Sequence, residues 1–244
     1  MRVQIVSDHH LDGKDPALAG PPTHVLGDVL VVAGDVGGVG RVQKFMDNAA
    51  RRWRHVVYVL GNHEFYDEKA TMSWILSDLR LVMAQWPNVH MLDDDVVNID
   101  GVRFVGSTLW ASPRGDIGDY RINITDVGDR AMSRVMGSHN RSCKRFLREN
   151  VRPGDVVVTH FMPMMPDVVR RLAPYRFDKG DREDYLGNTG LDDVMMRTRL
   201  WVSGHTHSAF DVTLFGGACR WVCNPIGLDH EITGGDPEGV VVTL

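Results

Sequence analysis

The sequence predicts a layered α/β domain, with a mixed sheet or two stacked sheets flanked by helices. Three observations carry that expectation. Short β-branched runs recur along the chain, and each ends in polar or glycine-rich residues. Helical patterns lie between several of these runs in the first half, whereas strands predominate towards the C-terminus. Of the 244 residues, 43% are hydrophobic and 24% charged, which supplies one sizeable core and excludes a mainly disordered chain.

Taken in order, strands are expected at residues 2–7, 29–33, 56–60, 102–106 and 156–159, then at 200–203, 211–215, 220–223 and 240–244. Helices are expected at 41–53, 67–86, 141–150 and 192–197. The second is the clearest: Trp74, Ile75, Leu79, Val82, Met83 and Trp86 form one apolar stripe, and Pro87 stands just beyond its end. Residues 161–190 carry Pro163, Pro166 and Pro174 among clustered charges and read as a long irregular connection. No internal repeat, low-complexity tract or linker interrupts the chain, so a single domain over residues 1–244 is the economical expectation.

Composition also excludes several classes. Val29-Leu30-Val31-Val32-Ala33 and Val240-Val241-Val242-Thr243-Leu244, the longest apolar runs, are far too short to cross a bilayer. The first eight residues contain no secretory stretch, and a cytoplasmic protein is the default expectation. A net charge of −5 argues against an extended nucleic-acid footprint. Cys143, Cys219 and Cys223 are odd in number and read as small buried hydrophobes in a reducing compartment.

The strand ends carry the chemistry. The first expected strand runs into Ser7-Asp8-His9-His10, the second into Gly34-Asp35, and the third into Gly61-Asn62-His63-Glu64. Later ones run into His160 and into Gly204-His205-Thr206-His207. Any one of these is an ordinary turn or a hydrogen-bonded core histidine. Five strand ends with complementary oxygen and imidazole donors are poorly explained by five independent turns. Sites in open α/β sheets collect outside the carboxyl ends of strands, so these ends are expected to converge.

In this the sequence resembles the calcineurin-like metallophosphoesterase superfamily. The pattern Asp-x-His, Gly-Asp, Gly-Asn-His-Asp/Glu, a separate His and Gly-His-x-His is present in order from Asp8 to His207. The resemblance implies a sandwich of two mostly mixed β-sheets flanked by helices. It further implies two divalent metal ions, one held by Asp8, His10, Asp35 and His207, the other by Asp35, Asn62, His160 and His205, with Asp35 bridging. Mn²⁺, Fe, Zn²⁺ and Ni²⁺ all suit mixed oxygen and imidazole donors. Two cations neutralise the oxygens of a phosphate ester, align an in-line displacement and lower the pKa of a water between them. His63, next to Asn62, is the expected general acid for the leaving alkoxide.

The remaining histidines are expected to have no chemical role. Alternation points His9 away from its neighbours; His24, His55, His90, His139 and His230 lack motif context. Glu64 reads either as an orienter of His63 or as a helix cap, and Cys219 and Cys223 share a strand parity that turns both to the core.

Departures from subfamily patterns narrow the substrate. The Gly-Asp-x-Val-Asp-Arg-Gly of the protein Ser/Thr phosphatases is absent after Gly34-Asp35. The complete Gly-His-Thr-His is similar to the bacterial cyclic-nucleotide phosphodiesterase-like and nuclease-like branches, and the net negative charge disfavours a large DNA footprint. A small stand-alone enzyme acting on a phosphodiester, with a nucleotide as one candidate, is therefore the leading expectation. A phosphomonoesterase of the same fold and a non-catalytic scaffold remain open at this point. Residues 112–152 hold nine Lys/Arg against five Asp/Glu, a balance of 9 − 5 = +4. Arg114 and Arg121 in this segment are candidate contacts for substrate phosphate.

Overall fold

The valine-rich runs form eleven strands in the computed structural model, which describes residues 1–14, 20–67, 69–112, 129–172 and 186–244. They are β1 (Arg2–Val6), β2 (Val29–Ala33), β3 (His55–Val59), β4 (Val89–Met91), β5 (Asp95–Ile99), β6 (Val102–Ser107), β7 (Val156–Thr159), β8 (Leu200–Ser203), β9 (Phe210–Leu214), β10 (Cys219–Cys223) and β11 (Val240–Thr243). One sheet has the order β11-β1-β2-β3-β4, with β1 to β4 parallel and β11 antiparallel at the edge. The other has the order β5-β6-β7-β8-β10-β9, with four parallel strands between antiparallel β5 and β9.

Parallel strands covered on both faces need continuous apolar sequence, and β2 (Val-Leu-Val-Val-Ala) and β7 (Val-Val-Val-Thr) are buried at every residue. Edge strand β9 instead alternates buried and exposed positions. The inner faces meet through Val3, Ile5, Val31 and Val57 on one side and Phe104, Val156, Val158 and Val202 on the other. Outer faces are covered by α1 (Val39–Arg52), which lies on β3, and α3 (Asp129–Asn150), which lies on β6, while α2 (Met72–Met83) packs on α1 and β4. Two buried indoles keep their N–H groups satisfied within the second sheet, Trp201 on the Thr159 hydroxyl and Trp221 on that of Ser203, each at 2.9 Å. This is the sandwich of two mixed sheets flanked by helices that the sequence implies.

Several elements differ from expectation. β4 and β5 are additional, and β5 turns into β6 through Asp100 and Gly101, both at positive φ. α2 starts at Met72 because the Thr71 hydroxyl accepts from the Trp74 amide, whereas Asp67 closes a turn by accepting from the Lys69 and Ala70 amides. On α2, Ile75, Leu79 and Met83 are buried, but Trp74 is 70% exposed. It sits one residue, about 100°, off that stripe. α3 begins twelve residues before position 141. Pro166 opens the short helix α4 (Pro166–Arg170) inside the segment read as irregular, and α5 is Asp192–Met195. All three cysteines are buried free thiols. Among the described residues, no helix is long and apolar enough to cross a membrane.

Candidate metal centre

β1, β2, β3, β7 and β8 all point their carboxyl ends to one end of the sandwich, and the loops that follow them meet there. Asp8, His10, Asp35 and His207 place one ligand atom each within 4.8 Å of one another, and Asp35, His160 and His205 do the same. The two groups share Asp35. Five of the seven expected ligands lie in the left-handed region, which non-glycine residues rarely adopt: Asp8 (φ 54°), His10 (46°), Asp35 (56°), His205 (69°) and His207 (48°). Such strain, about 1–3 kcal/mol per residue, persists where surroundings over-determine it. Here the Asp8 amide donates to Gly34 O, the His10 amide to Asp35 O, and the His205 amide to the Asp8 carboxylate at 2.9 Å.

The motif glycines are steric requirements of this meeting. A Cβ on Gly61 would collide with Asp35 Oδ1, and one on Gly204 would stand 2.7 Å from Asp8 Oδ2. Glycine lets the loops approach closely enough for their carboxylates to be shared.

Hydrogen bonds then aim the side chains. His160 Nδ1 donates to Ala33 O at 2.8 Å, which turns Nε2 towards Asn62 Oδ1 (3.1 Å) and Asp35 Oδ2 (3.4 Å). Asn62 Nδ2 donates to the Tyr66 hydroxyl at 2.9 Å, which leaves its Oδ1 facing inward. His10 Nε2 and His207 Nε2 stand 2.8 Å apart, while His10 Nδ1 is buried without a hydrogen-bond partner. His207 Nδ1 faces Glu231 Oε2 at 2.6 Å.

The centre therefore gathers carboxylate and imidazole donor atoms at one buried point. Burial disfavours a charged His160, yet Asp35 beside it pushes the imidazole up to about 9. Burial likewise raises Asp35, but His160 and His63 hold it well below the usual carboxylate range. His10, where burial wins, is driven down to about 3. Carboxylate oxygens with neutral imidazoles suit a divalent metal, and the residues present fit one.

The recess over the cluster measures about 260 Å³, with His63, Tyr66 and Leu186 on its wall. His63 stands at its rim with a side chain 29% exposed, its Nε2 4.0 Å from Asp35 Oδ2 and its ring 4.2 Å from that of Tyr66. Two larger clefts, of about 460 and 430 Å³, lie along α2, and neither gathers these donors. Chemistry, rather than size, selects the site.

The family model for calcineurin-like phosphoesterases, Metallophos, matches residues 1–209. The chain belongs to the calcineurin-like phosphoesterase family. Among its relatives is "Uncharacterized protein L509" of Acanthamoeba polyphaga mimivirus, 22% identical over 227 residues that cover 83% of this chain and 79% of that one. A similar solved structure is the phosphopantetheinyl hydrolase PptH of Mycobacterium tuberculosis, with a TM-score of 0.63 and 17% identity over 92% of this chain and 89% of that one. That likeness is one of fold.

The structure thus brings together every metal-site residue expected from the sequence, with His63 beside them. Arg114 and Arg121, the candidate phosphate contacts, lie outside the described residues. His9 is buried and turned away, its ring against Phe45 of α1. The cause is a loop with left-handed residues on either side rather than strand alternation. Glu64 neither orients His63 nor caps a helix. Its buried carboxylate accepts from the amides of Asp35, Val36 and Gly61 and from the Tyr58 hydroxyl, at 2.7–3.1 Å. Burial, and then Asp35, pushes this carboxyl up to about 7, against the pull of His160, the Val36 amide and the Tyr58 hydroxyl. Sequence reasoning missed Tyr66 and Glu231. Tyr66 follows Asn62 by four residues, a one-turn spacing that offered a signal; Glu231 had none.

Proposed function

We propose that this chain is a divalent-metal-dependent phosphoesterase that hydrolyses small phosphodiesters, nucleotide esters among them. The sharing of Asp35 by two clusters of ligand atoms carries this reading. Asp8, His10, Asp35 and His207 would hold one ion, and Asp35, Asn62, His160 and His205 the second, with Mn²⁺, Fe, Zn²⁺ and Ni²⁺ all suited to the donors. Bound ions supply charge neutralisation of the phosphate oxygens and an activated water.

The protein's own groups do the rest. Asp35, shared by the two groups of ligand atoms, would offset the repulsion between two cations held there. His63 overhangs the recess from the rim, within reach of a leaving oxygen, and serves as its proton donor. Tyr66 keeps the Asn62 amide turned inward. The complete Gly204-His205-Thr206-His207 block supports the phosphodiesterase-like branch. Three free buried thiols fit a reducing cytoplasmic setting.

The test is turnover of matched aryl phosphodiester and phosphomonoester substrates by protein of measured metal content, with each of the four metals. Diester preference that rises with occupancy of both positions is the expected result. Monoester preference would overturn the substrate assignment, and absence of turnover with both positions filled would leave a scaffold.

A further inference from the structure

We infer that Glu231 is a positioning residue, which fixes the tautomer and ring orientation of His207 and so sets the affinity of one of the two metal positions. The inference rests on the reading that Asp8, His10, Asp35 and His207 hold an ion. A histidine has one lone pair to give, and the hydrogen bond at its other nitrogen decides which nitrogen gives it. Glu231 Oε2 lies 2.6 Å from His207 Nδ1. A carboxylate there only accepts, so Nδ1 carries the proton and Nε2 keeps its lone pair. That Nε2 is the atom 2.8 Å from His10 Nε2 and 3.7 Å from Asp8 Oδ1.

The loop bearing Glu231 is built to hold it there. The Ile226 amide donates to Ser7 O and the Gly227 amide to Asp8 O, which ties the loop to the end of β1. The Thr233 hydroxyl donates to Pro225 O, and the Ala209 amide donates to Thr233 O, two residues beyond His207. The Leu228 amide donates to Glu231 Oε2 at 2.7 Å, so this oxygen is fixed before it meets the imidazole. Room for the carboxylate depends on Gly227. With φ at +78°, a Cβ there would stand 2.8 Å from Glu231 Oε2 and would also collide with Thr233. The family match ends at residue 209, so this carboxylate lies outside the shared motifs.

Because His207 belongs to one cluster only, the effect is confined to one metal position. Chelator-competition titration of wild-type protein with Mn²⁺ and with Zn²⁺ is expected to show two binding steps. Glu231→Ala is expected to weaken one step by about 10–100-fold and leave the other within twofold. Glu231→Gln keeps an oxygen that accepts from Nδ1 and is expected to recover most of that loss. In metal-free protein, long-range ¹⁵N–¹H correlations are expected to place the His207 proton on Nδ1 in wild type and in Glu231→Gln, and to show Nε2–H in Glu231→Ala. Unchanged affinities and an unchanged tautomer in a folded Glu231→Ala would overturn the inference. Failure of wild type to bind either metal would instead remove the reading beneath it, while the tautomer measurement would still report on the Glu231 contact.

Discussion

Glu64 offers the sharpest test of how the site is held together. Its two oxygens receive four donors, with Val36 N and Tyr58 Oη on Oε1 and Asp35 N and Gly61 N on Oε2. The residue is 2% exposed, so water does not compete. Glu64→Ala leaves all four donors without a partner. A buried unsatisfied donor costs about 1–3 kcal/mol, and water entering the vacated space recovers part of that. The loss is expected to reach at least about 4 kcal/mol, much of the roughly 5–15 kcal/mol that holds an ordinary domain. Glu64→Gln should be milder. With its amide nitrogen towards Tyr58, the tyrosine hydroxyl rotates to accept and the Val36 amide alone is orphaned, at about 2 kcal/mol. Tyr58→Phe in the Gln background removes that rescue, so the two changes should be non-additive. Urea unfolding of chelator-treated protein measures these three variants and the single Tyr58→Phe change that completes the cycle. A Glu64→Ala variant within 1 kcal/mol of wild type, or a Gln variant as costly as Ala, would refute the reasoning.

Three further outcomes are expected. His63→Ala should retain its metal content and lose about 10²–10⁴-fold in diester turnover, whereas Asp35→Ala should lose both; undiminished turnover in His63→Ala would dismiss the proton-donor role. Gly204→Ala places a methyl group 2.7 Å from Asp8 Oδ2 and 2.9 Å from Ala33 O, so the folded variant should bind less metal by elemental analysis, and full occupancy would show that the loop yields. Burial, and then Asp94, pushes the Cys143 thiol up to about 12 from its ordinary 9, so the folded state keeps a proton that the unfolded chain gives up. The stability this contributes is present below pH 9 and is lost as pH rises towards 12, at about 1.4 kcal/mol per unit. Cys143→Ala should flatten that alkaline slope in denaturant titrations, and parallel slopes would contradict the assignment.

Much of this molecule was legible because its central strands are buried on both faces. That burial writes continuous valine runs into the chain, and the abrupt change to Asp, His and Asn at their ends marks the site. β4 has only three residues and β5 opens on an aspartate, so neither produced such a run, although Asp100-Gly101 between Ile99 and Val102 is a hairpin signal in its own right. The first half of α3 contains Gly137 and Ser138, which weaken the local helical pattern. Trp74 misled because hydrophobicity alone does not fix the angle around a helix. Glu64 and Glu231 act through partners that only the folded chain supplies. The Gly-Asn-His-Glu block contains the first without revealing its direction, and nothing in the sequence around the second distinguishes it from a surface acid.

The His10–His207 contact and the Asp8–His205 hydrogen bond each join residues 197 positions apart. A cation seated between those loops would act as a cross-link between the first strand and the eighth, closing a loop of nearly the whole matched region. Its binding free energy would appear in full in global unfolding and hardly at all in local opening. It would also arrive late, since no fragment lacking His205 and His207 contains either complete cluster. Metal uptake during refolding should therefore coincide with the final recovery of native structure, and would serve as a clock for the moment when the two sheets dock.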